Sequence, residues 1–230
     1  MNDEKSQEHI EKNINYWEDV FSSQEWGKYP PIELIKFIAK NFYSVKKRKD
    51  IKILELGSGP GPNLWYMARE GFCVYGLEGS QTACDTATKR LKDENLEDKI
   101  GSIKSGDYFD SLDEFPDDYF DAIIDIESLY CNPFDRTKDI VTKSFKKLKV
   151  GGKMFSMTFA NKEWLSTDED VEHHAINSPE IRGYFRYTTR EDIDLLYKNS
   201  YNEIEKIEML ELHSDAETSR KEWLIELKKI

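Results

Sequence analysis

Apolar residues recur along this chain with two different periods, and the alternation between them predicts most of its elements. Over residues 6–24, Ile10, Ile14, Trp17, Val20 and Phe21 fall at helical spacing in a polar background, which predicts an amphipathic helix. Trp26, Gly27 and Tyr29-Pro30-Pro31 interrupt it. Pro31 is suited to open a second helix whose apolar face is Leu34, Ile35, Phe37, Ile38 and Phe42. Beyond residue 50 the helical stripe gives way to short apolar runs. Ile51–Leu56, Phe72–Leu77, Ile100–Ser105, Phe120–Ile126 and Lys153–Phe159 read as strands. Between them, residues 63–69, 80–94 and 137–148 have helical composition, with Gly71 and Gly151-Gly152 as stops. Strands alternating with helices imply parallel pairing through right-handed crossovers.

The tail is patterned differently. Thr188 and Glu191 have the spacing of a capping box for a helix running to about Lys198. Ile204–Leu212 and Trp223–Leu227 then follow as strands with no helix between them, which predicts an antiparallel pair. The expected fold is therefore α/β: a doubly wound, mostly parallel seven-stranded sheet with a C-terminal antiparallel hairpin and an N-terminal helical segment. Residues 1–30 would form that helical segment and residues 31–230 the sheet domain.

Composition narrows the possible partners. The net charge of −12 opposes non-specific binding to nucleic acid, and the one dense basic run, Lys46-Lys47-Arg48-Lys49, reads as a solvated loop. Cys73, Cys84 and Cys131 form no CxxC and no metal-like cluster, so no metal is expected and free thiols are. The N-terminus has neither a basic start nor an apolar stretch, and no run approaches the ~18 apolar residues that span a bilayer. These features predict a cytoplasmic protein with no membrane partner.

The most informative stretch is Leu54-Glu55-Leu56-Gly57-Ser58-Gly59-Pro60-Gly61. Glycines at a strand-to-helix turn permit a sharp bend and let a ligand approach the backbone. A dinucleotide turn would want its third glycine at position 62, which is Pro62, so a nicotinamide- or nucleotide-sugar-dependent reductase is the weaker alternative. An acidic residue two positions ahead of Gly57 suits a cationic ligand better than a pyrophosphate. Glu78, ending the next strand, is placed to accept hydrogen bonds from ribose hydroxyls.

With those residues in place, the chain resembles the class I S-adenosylmethionine-dependent methyltransferases over about residues 30–230. The motifs that carry the resemblance are Glu55–Gly61, Gly76-Leu77-Glu78, Gly106-Asp107-Tyr108-Phe109, Phe120–Leu129 and Leu148–Lys153, in that order. The resemblance implies a Rossmann-like domain that binds S-adenosylmethionine and releases S-adenosylhomocysteine. Glu55, Gly57, Ser58, Gly59 and Gly61 would face the methionine part, with Glu55 near its ammonium. Glu78 and Gly79 would serve the ribose, Asp107 and Tyr108 the adenine, and Asp125 or its neighbours the sulfonium. Asn63 and Trp65 are further candidates, Trp65 being equally suited to core packing.

Acceptor residues are expected beyond the carboxyl ends of the strands: Glu127, Tyr130 and Cys131 after the fourth, and Phe159–Asn161 after the fifth. The long connector 161–187 adds His173, His174 and Arg186, with His173, His174 and Tyr130 as candidates for a base if one is needed. Tyr16, Trp17, Trp26 and Tyr29 are candidates for a lid. The expected activity is methyl transfer by in-line displacement to a small-molecule acceptor, in a monomer or homodimer, with a protein acceptor as the alternative.

Overall fold

The computed structural model describes residues 3–160, 170–171, 175–178, 181–214 and 218–230. Its centre is a seven-stranded sheet. Five strands are parallel: β1 (Lys52–Leu56), β2 (Cys73–Glu78), β3 (Ile100–Ser105), β4 (Phe120–Ile126) and β5 (Leu148–Phe159). β9 (Asn202–Ser214) and β10 (Thr218–Lys229) form the C-terminal hairpin, and β10 inserts antiparallel between β5 and β9. The order is β3-β2-β1-β4-β5-β10-β9, so the chain turns back between β1 and β4 and opens a crevice at their carboxyl ends.

The central strands β1, β2 and β4 are rich in buried apolar residues because both sheet faces are covered there. On β1, Ile53 points to one face with α2 (Ile32–Phe42) and α3 (Pro62–Arg69), while Leu54 and Leu56 point to the other. That second face is closed by α6 (Phe134–Lys147) and α7 (Arg190–Tyr197), through Ile140, Val141, Phe145, Ile193 and Leu196. α4 (Gln81–Asp93) joins the first layer through Leu91. The N-terminal helix α1 (Asp3–Ser23) lies outside these layers, across the carboxyl ends of the strands, and α5 (Tyr108–Ser111) is a single short turn after β3.

Several boundaries differ from expectation for physical reasons. α6 ends at Lys147, and Gly151-Gly152 lies inside β5, where the ladder with β4 shifts register and Gly151 adopts φ 79°. The cap of α7 is Thr189 with Asp192, one residue beyond the expected pair. Thr188 cannot serve because it is buried, and its hydroxyl accepts from Arg186 while its carbonyl accepts from Trp223 Nε1. The expected connector contains a second small sheet, β6 (Asp170–Val171), β7 (Ala175–Ser178) and β8 (Ile181–Arg186), all antiparallel.

Candidate active site

The glycine turn after β1 shapes the crevice. Gly57, Gly59 and Gly61 all have positive φ, at 68°, 50° and 80°. A Cβ at Gly57 would fall within the Ser128 side chain, so close packing as well as φ demands glycine there. Gly59 donates its N–H to Glu78 Oε2 at 2.8 Å, and Ser80 donates to Glu78 Oε1 at 3.0 Å. Glu78 thus locks the turn to the end of β2, and each oxygen keeps a lone pair for a ligand hydroxyl. Burial raises its pKa, against the backbone hydrogen bonds that lower it.

Behind the turn sits Glu55, only 1% exposed. Asn63 Nδ2 donates to its Oε1 at 2.5 Å, whereas Oε2 has no partner. Desolvation pushes its pKa well above the usual carboxylate range. Asn63 opposes the shift, and the charges of Glu78 and Asp125 reinforce it. A buried carboxylate with an unpartnered oxygen and no counter-charge is matched to a cation that arrives with its own hydrogens. Asn63 Oδ1 and Ser58 Oγ are also buried and unpartnered. These orphaned acceptors fit the ammonium of S-adenosylmethionine, so the residues present suit the expected cofactor.

A cavity of about 940 Å³ connects this turn to an aromatic wall. Glu55, Gly57, Ser58, Gly59, Asn63, Glu78 and Tyr108 line one end. Tyr16, Trp17, Trp26, Tyr29, Glu127 and Tyr130 line the rest, with Phe21 reaching over Gly59. A narrow slot of about 30 Å³ continues past Glu78 and Gly79 to Asp107 and Tyr108, roofed by Ile10, Ile14 and Trp17 of α1. Asp107 caps α5 through Phe109 N–H at 2.8 Å and pairs with Arg136 at 2.5 Å. The Tyr108 hydroxyl lies 2.9 Å from Ser128 Oγ, so its side chain as well as its backbone forms the wall.

Four of the expected contacts lie elsewhere. Gly61 does not line the cavity; it approaches α4, where a Cβ would come 2.7 Å from Ala87 Cβ. Asp125 is fully buried beneath the site. It accepts from Ser128 N at 3.1 Å, Leu129 N at 2.9 Å and Ser156 Oγ at 2.5 Å, so it holds the turn after β4 rather than touching a ligand. Arg186 is 2% exposed, and its guanidinium is spent on Asn132 O, Thr188 Oγ1 and Thr137 Oγ1 at 2.9–3.1 Å, tying β8 to α6. Trp65 also lies off the cavity, its ring against Arg69, Arg90 and Tyr29. His173 and His174 fall outside the described residues.

Sequence reasoning missed the partners brought in from far along the chain. Arg220 of β10 lines the cavity, pairs with Glu127 at 2.6 Å and with Glu222, and stands 5.3 Å from the Phe159 ring centroid. Glu127 itself has φ 52°, uncommon for a glutamate and frequent where side chains are aimed at ligands. Ser128 was overlooked beside it. On α1, Asn13 donates to Cys131 O and Tyr184 O, and Glu18 accepts from Ser80 Oγ, Thr82 N and Thr82 Oγ1, so two latches hold the helix over the crevice. Among the described residues no group of side chains is arranged to hold a metal, and no helix is long and apolar enough to cross a membrane.

Comparison with known proteins agrees with this geometry. Residues 53–152 match the family model of a methyltransferase domain. The methyltransferase GfsG of Streptomyces halstedii is 32% identical over 105 residues, covering 45% of this chain and 36% of that protein. The chain thus matches little more than a third of that relative's length. A SAM-dependent methyltransferase structure from Methanosarcina mazei superposes with a TM-score of 0.65 at 21% identity, over 79% of this chain and 93% of that one. Geranyl diphosphate C-methyltransferase from Streptomyces coelicolor A3(2), solved with S-adenosyl-L-homocysteine, gives a TM-score of 0.67 at 15% identity, over 96% and 98%. At these identities the two structures establish the fold alone.

Proposed function

The chain carries a class I S-adenosylmethionine-dependent methyltransferase domain, and from that premise we propose that it methylates a small-molecule acceptor by in-line displacement. The observation that supports this most is the continuous cavity of about 940 Å³ joining the glycine turn to the aromatic wall, a volume typical of small-ligand sites. Glu55 with Asn63 would hold the cofactor's ammonium, Glu78 its ribose, and Asp107 with Tyr108 its adenine. When bound, the cofactor supplies a methyl carbon already activated by positive sulfur. The protein's contribution is to align the acceptor with that carbon and keep water out; such positioning is worth up to ~7–11 kcal/mol.

Residues 1–30 act in this reading as a lid. The slot beside Asp107, at about 30 Å³, is far below the ~300 Å³ at which ligand pockets begin, and its roof is α1. Admission of an adenine ring would therefore require Ile14 and Trp17 to move. A cytoplasmic setting is supported by three free cysteines, two of them buried.

The test is S-adenosylhomocysteine release by the purified protein given S-adenosylmethionine and a metabolite extract, divided by ultrafiltration. Release with the low-mass filtrate is expected. Release only with the retained macromolecules would favour a protein acceptor and refute the small-molecule reading.

A further inference from the structure

The charges that line the cavity as a whole are unequal in number. Arg220 is the one cation lining the cavity among the described residues, against Glu25, Glu55, Glu78 and Glu127. Arg220 is moreover shared, since one of its nitrogens contacts both Glu127 and Glu222. Glu222 is fully buried and its Oε2 has no hydrogen-bond partner. Two carboxylates share one guanidinium, so Glu127 does not have the cation to itself. Tyr16, Tyr29, Tyr130 and Cys131 are the other titratable groups lining this part of the cavity among the described residues.

The remaining surface is aromatic. Tyr130 stacks on Phe185 at 5.5 Å and meets Phe159 edge-on at 4.8 Å, while Trp17 stacks on Phe21 at 5.4 Å and meets Trp26 edge-on at 5.7 Å. Ring faces attract cations through their quadrupoles, most strongly where water is excluded. Such a wall also stacks neutral rings; what it adds for a cation is the attraction of the ring faces beside Glu127.

We propose, resting on the methyltransferase reading above, that the acceptor is an amine that arrives as an ammonium and is recognised by Glu127 and the aromatic wall. An ammonium has no lone pair, so it must first lose a proton. One proton passes from nitrogen to Glu127, which shares Arg220 with Glu222 behind it. The freed lone pair then forms the new N–CH₃ bond as the C–S bond breaks and its electron pair passes to sulfur. Positive charge moves from sulfur to nitrogen, still facing the carboxylates. The pKa of Glu222 stands at about 7, raised by burial and by the charge of Glu127 against the pull of Arg220.

The test is calorimetric binding of three probes to the protein saturated with S-adenosylhomocysteine: 3-phenylpropylamine, 3-phenylpropanol and 3-phenylpropionate. The amine is expected to bind at least about tenfold more tightly than the alcohol, with the carboxylate weakest. Glu127→Gln should erase most of the amine's advantage and leave the alcohol's affinity in place, and Arg220→Met should increase that advantage. Tightest binding of the carboxylate would make Arg220 the recognition group and overturn the proposal. Equal or undetectable binding of all three, or an amine preference that survives Glu127→Gln, would overturn it too. S-adenosylhomocysteine binding, measured first, separates the two levels: its failure refutes the methyltransferase reading, whereas its success with a reversed probe order refutes only the amine.

Discussion

Replacing Glu55 by Gln should stabilise the free protein and weaken its hold on the cofactor at the same time. Glu55 is buried, has one unpartnered oxygen, and lies near two further buried carboxylates, Glu78 and Asp125. Its pKa in the fold stands above the unfolded value. Its contribution to stability is therefore undiminished below the unfolded pKa and is lost as pH climbs through the range up to the folded one. Gln keeps the hydrogen bond from Asn63 and carries no charge, so the variant escapes that penalty. A charge-assisted hydrogen bond to the ligand ammonium is worth about 1.5–3 kcal/mol, or roughly 10- to 150-fold in affinity.

S-adenosylhomocysteine is the right probe because it keeps the ammonium and lacks the sulfonium charge. Calorimetry in buffers of different ionisation enthalpy should show wild-type protein releasing up to about one proton on binding, as the ammonium draws Glu55 into its charged form. The Gln variant should release none, bind more weakly by the factor above, and melt higher above neutral pH. Unchanged affinity together with unchanged proton release would refute the assignment of Glu55 to the ammonium.

Three other outcomes follow from the same geometry. Gly57→Ala should cost about 1–2 kcal/mol for its left-handed backbone and a further ~1–3 kcal/mol for collision with Ser128, and Ser128→Gly should recover the second part, read from denaturant midpoints. Stability should be greater near pH ~5.5 than near pH ~8, because Asp125 is raised from 3.8 to about 6 and Glu222 from 4.5 to about 7, both by burial; the whole Asp125 loss is about 3 kcal/mol, of which only about 1 kcal/mol falls between these two pH values, and a flat melting profile would contradict it. Deleting residues 1–29 should leave a cooperative thermal transition with weakened S-adenosylhomocysteine binding, and full affinity in the truncated chain would remove the lid from the mechanism.

What the sequence revealed and what it hid divide along sequence distance. Strands such as Phe120–Ile126 were legible because both faces are buried and Ala122-Ile123-Ile124 forms an unbroken apolar run at the centre. The glycine turn and Glu78 were legible because their constraint is local: a strand end, positive φ, and a carboxylate within hydrogen-bonding reach of Gly59 and Ser80. Arg220 was not, because its partner Glu127 lies 93 residues away and nothing local marks β10 as passing the cavity. The Asn13 latch on Tyr184 spans 171 residues. Arg186 and Asp125 misled for the opposite reason. Each carries a residue type suited to a site, yet the fold spends both on buried hydrogen bonds that hold neighbouring loops.

The supporting layer has a functional consequence of its own. Asp125 holds the amides of Ser128 and Leu129, Ser128 occupies the space that Gly57 leaves, and the Ser128 hydroxyl meets Tyr108. The wall from Asp125 through Ser128 to Tyr108 is thereby set before any ligand arrives, whereas the acidic surface it presents is uncompensated in the free chain. Glu55, Glu78, Asp125 and Glu222 are all buried and all shifted toward the protonated form. Desolvated carboxylates weaken a fold; Asp125 and Glu78 are held by backbone and hydroxyl donors, whereas the unpartnered oxygen of Glu55 is left for a cation to complete. Binding then returns stability through linkage, about 2.7 kcal/mol at a hundredfold excess over Kd. Glu55, which destabilises the empty crevice, thereby favours a cationic cofactor, and the proposed recognition of an ammonium by Glu127 would extend the same logic to the acceptor.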